Sequence, residues 1–276
     1  MRRYDLHCHS TASDGTLAPA QVVALAKQNG VDVLALTDHD CVDGLAAARL
    51  AAQEQGIELV AGVEISCEWG GRTIHVVGLN IDPENAALQA GLAALQTIRR
   101  QRALDIGARL EKSGIAGAIA WTTQQLQHLN VTRTHFARYL VAQGKAKDMQ
   151  NAFDRYLGSG KPGYAKARWV DFEQAVGWVT AAGGVAVVAH PSRYDFSYTK
   201  CKIMLDDFKS SGGAGIEVVY GGCDQGRIDT HVRLCKALEL AGSCGSDFHD
   251  PAIPWTRLGG LPPLPKAVTP IWADRF

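Results

Sequence analysis

Seven short apolar runs, most of them followed by a helical pattern, limit what this chain can fold into. They are "RRYDLH" (2–7), "VDVLALTD" (31–38), "IELVAGVEIS" (57–66), "RTIHVVGLN" (72–80), "GVAVVAH" (184–190), "GIEVVY" (215–220) and "LELAGSCGSD" (238–247). Helical stretches follow over 17–29, with Pro19 in the first turn and Gly30 after the end, and over 43–55, stopped by Gly56. "CEWGG" between the third and fourth runs reads as a hairpin. Strands that are apolar on both faces belong to a largely parallel sheet covered on both sides. The expected fold is therefore α/β, a distorted seven-stranded (β/α) barrel.

Residues 83–163 interrupt this rhythm. They carry no strand pattern, only a long helix over 84–112 and shorter ones near 122–129, 133–143 and 147–157. The expected organisation is a barrel formed by 1–82 and 164–276, with 83–163 as a helical insertion. The insertion holds 11 Lys and Arg against 5 Asp and Glu, and the remainder 17 against 23, so charges of +6 and −6 cancel to zero over the chain. Two solvated surfaces would give this division. So would a basic, substrate-recognising cap over an acidic, metal-binding mouth, which suits an anionic substrate.

Composition narrows the class. With 46% hydrophobic and 20% charged residues, a 276-residue chain is an ordinary globular protein. No apolar run approaches the ~20 residues that span a bilayer, and no apolar leader opens the chain. The seven cysteines (8, 41, 67, 201, 223, 235, 244) are odd in number and form no C-x-x-C pair, which excludes a zinc ribbon and fits free thiols. The expected location is cytoplasmic, with no membrane and no protein partner.

Chemistry gathers at the strand ends. The first run delivers Asp5, His7 and His9, with Asp14 beyond; alternation would put the first three on one face and Leu6 and Cys8 on the other. His7 and His9 would stand about 6–7 Å apart, at a rise of ~3.3 Å per residue. The second run ends in Asp38, His39 and Asp40, the third carries Glu64, and its hairpin partner carries His75. His190, Asp247 and His249 complete the set. Six of the nine histidines fall here, His75 being the one inside its strand. Active sites of α/β barrels lie on the C-terminal rim. Imidazoles and carboxylates without cysteine suit Mn²⁺, Fe²⁺ or Zn²⁺ rather than Ca²⁺. Nine candidate ligands are too many for one ion, so two to three divalent ions are expected, with Glu64 as a bridge.

The motifs "DLHCHSTASDG", "LALTDHD", "GVEIS" with "HVVGLN", "VVAHP" and "GSDFH", in this order from residue 5 to 249, resemble the PHP (polymerase and histidinol phosphatase) family of metal-dependent phosphoesterases. The resemblance implies a PHP-type barrel and three ions, with Mn²⁺ foremost. The first would be held by His7, His9, Glu64 and Asp247, the second by Glu64, His75 and His190, and the third by Asp14, His39 and His249. Many members have histidine where Asp14 stands. "NVTRTHFARYL" and "LGSGKPGY" further resemble the branch that hydrolyses nucleoside 3′,5′-bisphosphates and shortens small RNAs from the 5′ end.

Substrate residues follow from charge and position. Thr132 is expected to cap a helix beginning at Arg133, joining a guanidinium to free backbone N–H groups in a phosphate site. Arg193 leaves the rim three residues after His190. Lys161 and Arg168 could bind a second phosphate, with His135 beside Arg133. Asp40 would orient a ligand or protonate the leaving group. His128 and His231 are expected on helix surfaces. "GSGKPG" has proline after Lys161 and no preceding strand, so it is no Walker A loop. G-x-S-x-G is absent. The expected activity is hydrolysis of the 3′-phosphate of nucleoside 3′,5′-bisphosphates, with short oligoribonucleotides as further substrates. The competing readings are a phosphatase for a non-nucleotide ester such as histidinol phosphate, and a catalytically silent metal-binding module.

Overall fold

The computed structural model describes residues 2–127 and 130–273. The strands are β1 (Tyr4–Asp5), β2 (Val33–Leu36), β3 (Glu58–Trp69), β4 (Arg72–Leu79), β5 (Val170–Asp171), β6 (Val185–Val188), β7 (Gly215–Tyr220) and β8 (Ala241–Gly245). The helices are α1 (Pro19–Gln28), α2 (Leu45–Gln55), α3 (Ala86–Lys112), α4 (Ala118–Gln125), α5 (Arg133–Ala142), α6 (Met149–Ala152), α7 (Phe172–Ala181), α8 (Tyr198–Ser210) and α9 (Gln225–Leu238). They form two compact units, one of residues 1–92 with 169–276 and one of residues 93–168. Among the described residues no helix is long and apolar enough to cross a membrane.

In the first unit seven strands follow the order β1-β2-β3-β4-β6-β7-β8. Only β4 runs against its neighbours β3 and β6. The sheet nearly closes on itself, because Leu6 N–H donates to Cys244 C=O (2.9 Å) and His9 N–H to Phe248 C=O (2.8 Å). The result is a mixed α/β barrel of the expected kind. β2 shows why its sequence is apolar throughout. Val33 and Ala35 join a core with Leu6, Val60, Val77, Leu79 and Val187, whereas Leu34 and Leu36 pack with Val22 and Ala26 of α1 and Ala48 and Ala52 of α2.

Three expectations change. The hairpin is tighter than "CEWGG", because β3 continues to Trp69, which pairs with Arg72. Its turn is Gly70-Gly71 alone, with φ of 55° and 73°, the two left-handed residues that a tight hairpin demands. The longer β3 also receives β5 as an eighth, two-residue strand, through Cys67 and Val170. Finally, the alternation over Asp5–His9 breaks. The ladder between β1 and β2 ends at Asp5, and beyond it Leu6 and Cys8 enter different cores. Asp5 turns away from the histidines and accepts from Ser246 N–H (2.7 Å) and Gly259 N–H (3.0 Å).

The helical unit has its own core of Ala103, Ile106, Leu110, Phe136, Leu140 and Leu157. Trp121 stacks on Tyr139 with ring centres 4.5 Å apart. α4 starts earlier than expected because its cap comes from α3: Glu111 accepts from Gly117 N–H and Ile119 N–H, each at 3.1 Å. The segment expected as one helix over 147–157 is α6 followed by a π turn, Phe153–Leu157.

Gly245 is the tightest point of the barrel closure. A Cβ there would overlap the Cβ of His7 and lie 2.9 Å from Glu217 Oε1. Gly245→Ala should therefore lower stability by roughly 3 kcal/mol, high in the overpacking range. Gly177→Ala, on the exposed face of α7 with no atom within 4 Å of the added carbon, should raise stability by up to about 1 kcal/mol. Urea unfolding of both variants checks the pair; equal effects would contradict the close approach.

Candidate metal centre

Each rim histidine and carboxylate is aimed by a specific local device. Asp40, His190 and Asp247 have φ of 49°, 28° and 54°. Residues other than glycine reach such values only where the surroundings enforce them. Asp40 N–H donates to Glu64 C=O (2.9 Å), and Asp247 N–H to His7 C=O (2.8 Å). His75 lies opposite Ser66 in the hairpin, diagonal to Glu64 on the same face, and its Nδ1 is 2.9 Å from Glu64 Oε1. The loop bearing Asp14 is tied down by Asp38, which accepts from Ser10 N–H (2.7 Å), Ser10 Oγ (2.7 Å) and Ser13 Oγ (2.6 Å).

Eight of the nine expected ligands fall into three donor groups, and His190 stands against them through Glu64. His7, His9, Glu64 and Asp247 form one donor group, His39, Glu64 and His75 a second, and His9, Asp14, His39 and His249 a third, the donor atoms of each lying within 4.8 Å of one another. The first is the set expected for the first ion. In the second, His39 joins Glu64 and His75, while His190 Nε2 approaches the same Glu64 Oε1 at 3.0 Å. The third adds His9 to the expected Asp14, His39 and His249. Glu64, His9 and His39 each belong to two groups.

The donors suit cations. His7 Nδ1 bonds Glu217 Oε1 (2.8 Å), so that nitrogen carries a proton and Nε2 is the atom free to meet a cation when the ring is neutral. Ser13 Oγ donates to Asp38, so it accepts from His9 Nδ1 (3.4 Å), and the same holds for His9 Nε2. These two Nε2 atoms face each other at 3.1 Å, and both lie 3.3 Å from Glu64 Oε2. Glu64 Oε2 is buried and takes no well-formed hydrogen bond. Two ring nitrogens facing each other beside a buried carboxylate oxygen call for positive charge between them, from a proton or a metal ion, and the N/O donor set matches Mn²⁺, Fe²⁺ or Zn²⁺.

The electrostatics tell the same story. Burial opposes ionisation of Glu64, Asp14 and Asp247, yet electrostatic interaction with neighbouring groups holds all three well below the usual carboxylate range: chiefly the imidazoles of His75 and His39 for Glu64, those of His249 and His39 for Asp14, and the Arg193 guanidinium with His7 for Asp247. Burial also opposes a charge on His9, but its bonds to Asp247 and Glu64 push it up to about 10. His39, dominated by burial, is pushed down to about 4. The pocket demands positive charge and draws it from protons where no metal supplies it.

Arg193, in the 3₁₀ turn Pro191–Tyr194, bonds Asp247 Oδ2. It also donates to Gly221 C=O at 3.2 Å and lies 5.5 Å from the Tyr220 ring centre. Asp40 is fully buried and accepts from Ser66 N–H at 2.6 Å, which fits orientation of the His39–Glu64 crossing rather than proton donation. In the helical unit Arg133 is the first residue of α5, and Thr132 caps it by accepting from Thr134 N–H (3.1 Å). His135 Nδ1 accepts from Thr132 N–H at 3.0 Å and so closes the cap. Lys161 and Arg168 are exposed.

Sequence reading passed over several residues. Glu217 holds both His7 Nδ1 and, at 2.6 Å, His190 N–H; its signal was a lone carboxylate in the otherwise apolar "GIEVVY". Asp38 stood among the strand-end acids without a role. Tyr194 hydroxyl accepts from His75 N–H (2.9 Å) and donates to Ala189 C=O (2.7 Å). His231, expected on the surface, is 2% exposed; one face of α9 must pack on the barrel, and His231 lies on it. His128 lies outside the described residues.

Comparison with known proteins agrees. The profile of the PHP domain matches residues 5–162. A 5′-3′ exoribonuclease of Haemophilus influenzae is 45% identical over 271 residues, 98% of this chain and 98% of its own length. A 3′,5′-nucleoside bisphosphate phosphatase of Chromobacterium violaceum is 44% identical over 278 residues, 99% of this chain and 96% of its own. The crystal structure of an amidohydrolase from Chromobacterium violaceum, with sulfate and no metal, superposes with a TM-score of 0.94 at 44% identity, covering 99% of this chain and 95% of that one. Matched by the PHP domain profile over more than half its length and by these relatives along nearly all of it, this chain belongs to the PHP domain family.

Proposed function

We propose that this chain is a metal-dependent phosphoesterase that removes the 3′-phosphate from nucleoside 3′,5′-bisphosphates and, by the same chemistry, trims short RNA from its 5′ end. The observation that carries this reading is the sharing of Glu64 between two adjoining donor groups, with Arg193 on the third carboxylate beside them. The substrate class is supported by the names of the two relatives that match along nearly their whole length. A silent module has no need to keep nine donors converged in a buried pocket.

His7, His9, Glu64 and Asp247 would hold the first ion, Glu64 with His75, His190 and His39 the second, and Asp14, His39, His249 and His9 the third, with Mn²⁺ preferred. Bound there, such ions acidify water and polarise phosphoryl oxygens. The protein's own groups do the rest. Glu217 fixes the tautomer of His7, so that Nε2 faces inward. Arg193 meets the charge that builds on the phosphoryl oxygens as the ester bond breaks. Asp40 keeps His39 and Glu64 in register.

The helical unit carries basic residues suited to a substrate phosphate. Arg102 there is pushed down to about 9, by burial first and then by the nearby cations Arg133 and Arg99. Guanidinium groups crowded in this way favour an anion, and Arg133 adds the N–H groups of its capped helix start. Lys161, Arg168 and His135 complete the substrate-binding set. A reducing cytoplasm suits both nucleotide substrates and free thiols.

Two measurements test this. Phosphate release should be fastest from nucleoside 3′,5′-bisphosphates among nucleotides and sugar phosphates, should vanish with chelator, and should return with Mn²⁺. Glu64→Gln should then lose far more than the ~100-fold typical of an outer-sphere change, along with two metal equivalents, while Asp14→Asn loses one. Similar small losses in both variants would remove Glu64 as a bridge.

Arg133→Ala should leave metal content and thermal stability intact. It should weaken turnover of a 3′,5′-bisphosphate by about 2–4 kcal/mol and that of a simple activated phosphate ester much less. Equal loss on both would place Arg133 at the reacting phosphate instead, and no loss on either would make it a solvated surface charge.

A further inference from the structure

The turn that carries Arg193 is fastened from outside the rim. Ser192 Oγ lies 2.6 Å from His231 Nε2. His231 is buried on α9, and its Nδ1 lies 3.1 Å from Val218 C=O. A carbonyl only accepts, so Nδ1 bears the proton, Nε2 bears a lone pair, and the Ser192 hydroxyl donates to it. Burial pushes the imidazole toward its neutral form, in keeping with this tautomer.

The neighbouring residues in this turn have their own fixings. His190 N–H is held by Glu217 (2.6 Å), and Tyr194 hydroxyl by Ala189 C=O (2.7 Å). Between these anchors Ser192 is tied to His231, and its hydroxyl also neighbours that of Tyr220. Arg193 is the next residue, with its guanidinium on Asp247 and on Gly221 C=O. The Tyr220 ring lies 5.5 Å from that guanidinium and 5.8 Å from the His231 ring, centre to centre. The end of β7 is thus wedged between the arginine and the histidine.

We propose that His231 is a positioning residue: through Ser192 it locks the Pro191–Tyr194 turn on α9 and so sets where the Arg193 guanidinium stands beside Asp247 and meets the substrate phosphoryl group. This rests on the reading that Arg193 contacts the reacting phosphate. A side chain displaced by even ~1 Å from its working position can cost two orders of magnitude in rate, so a remote tie of this kind has a kinetic consequence without touching the substrate.

The test uses the metal-loaded full chain. Wild type, Ser192→Ala, His231→Ala and His231→Gln are compared, each alone and with Arg193→Ala. Turnover is followed on the bisphosphate and on a simple activated phosphate ester, and the affinity for inorganic phosphate is measured by calorimetry. Ser192→Ala and His231→Ala should each lower kcat/KM about 10–100-fold, with metal content unchanged. His231→Gln, whose carbonyl oxygen can accept the Ser192 proton, should recover most of that loss. In the Arg193→Ala background all three should cost less than about threefold, because groups acting through one another do not add. Full additivity with Arg193→Ala, or a silent Ser192→Ala, would overturn the proposal. If His231→Ala does not fold, Ser192→Ala decides with Tyr220→Phe as its control: a Ser192→Ala loss no larger than that of Tyr220→Phe, which removes only the hydroxyl beside Ser192, would also overturn the proposal. An enzyme that cleaves the simple ester but no bisphosphate would refute the proposed substrate and leave this test intact. If neither ester is turned over, phosphate affinity decides: weakening by Ser192→Ala only while Arg193 is present supports the link, and equal weakening without Arg193 overturns it.

Discussion

One buried carboxylate organises this protein. Glu64 has no exposed surface and faces five imidazoles: His39, His7 and His9 across Oε2, at 2.8, 3.3 and 3.3 Å, and His75 and His190 across Oε1, at 2.9 and 3.0 Å. Taking an isolated carboxylate out of water costs several kcal/mol even after the protein relaxes. That cost is met only if cations sit against both oxygens. The barrel strands deliver five histidines to one point, and the shared donor groups follow from that convergence. Metal ions held by these groups would couple binding to folding, since they would supply the positive charge that the buried carboxylate requires.

Holding so many groups at one point takes strain. Three residues in the left-handed region, Asp40, His190 and Asp247, cluster at strand ends, and such conformations cost about 1–3 kcal/mol each. The apolar interior below the rim and the helix-facing core of α1 and α2 offset that cost. A ring of partners then fixes ring orientation and tautomer: Glu217 for His7 and His190, Asp38 for the Asp14 loop, Asp40 for the crossing of His39 and Glu64. These partners are buried, and they set how the ligand side chains converge.

Much of this was legible beforehand. Strand-end histidines in a βα pattern point to a metal rim because the strand period and the barrel geometry leave few other places for them. Thr132 before Arg133 read correctly as a cap, because a cap is a local interaction between neighbours in sequence. What escaped notice involves partners on different elements of the fold. α4 starts early because Glu111 of another helix caps it. His231 is buried because α9 packs on β7. Glu217 reads as an oddity in an apolar strand until His7, 210 residues away, is seen beside it. The alternation over Asp5–His9 failed because β1 leaves its ladder with β2 after two residues and turns to the end of β8.

The sequence by itself determined the α/β class, seven of the eight strands, the helical interruption with its positive charge, and the histidines and carboxylates that gather at the candidate site. All of these are written in periodicity, turn residues and residue chemistry, which act over a few positions. Only the tertiary structure decided how the ligands are grouped. His39 stands between two donor groups, and His9 joins a third, because the crossing of β2 onto β3 and the closure of β8 on β1 set distances between side chains that no spacing along the chain encodes.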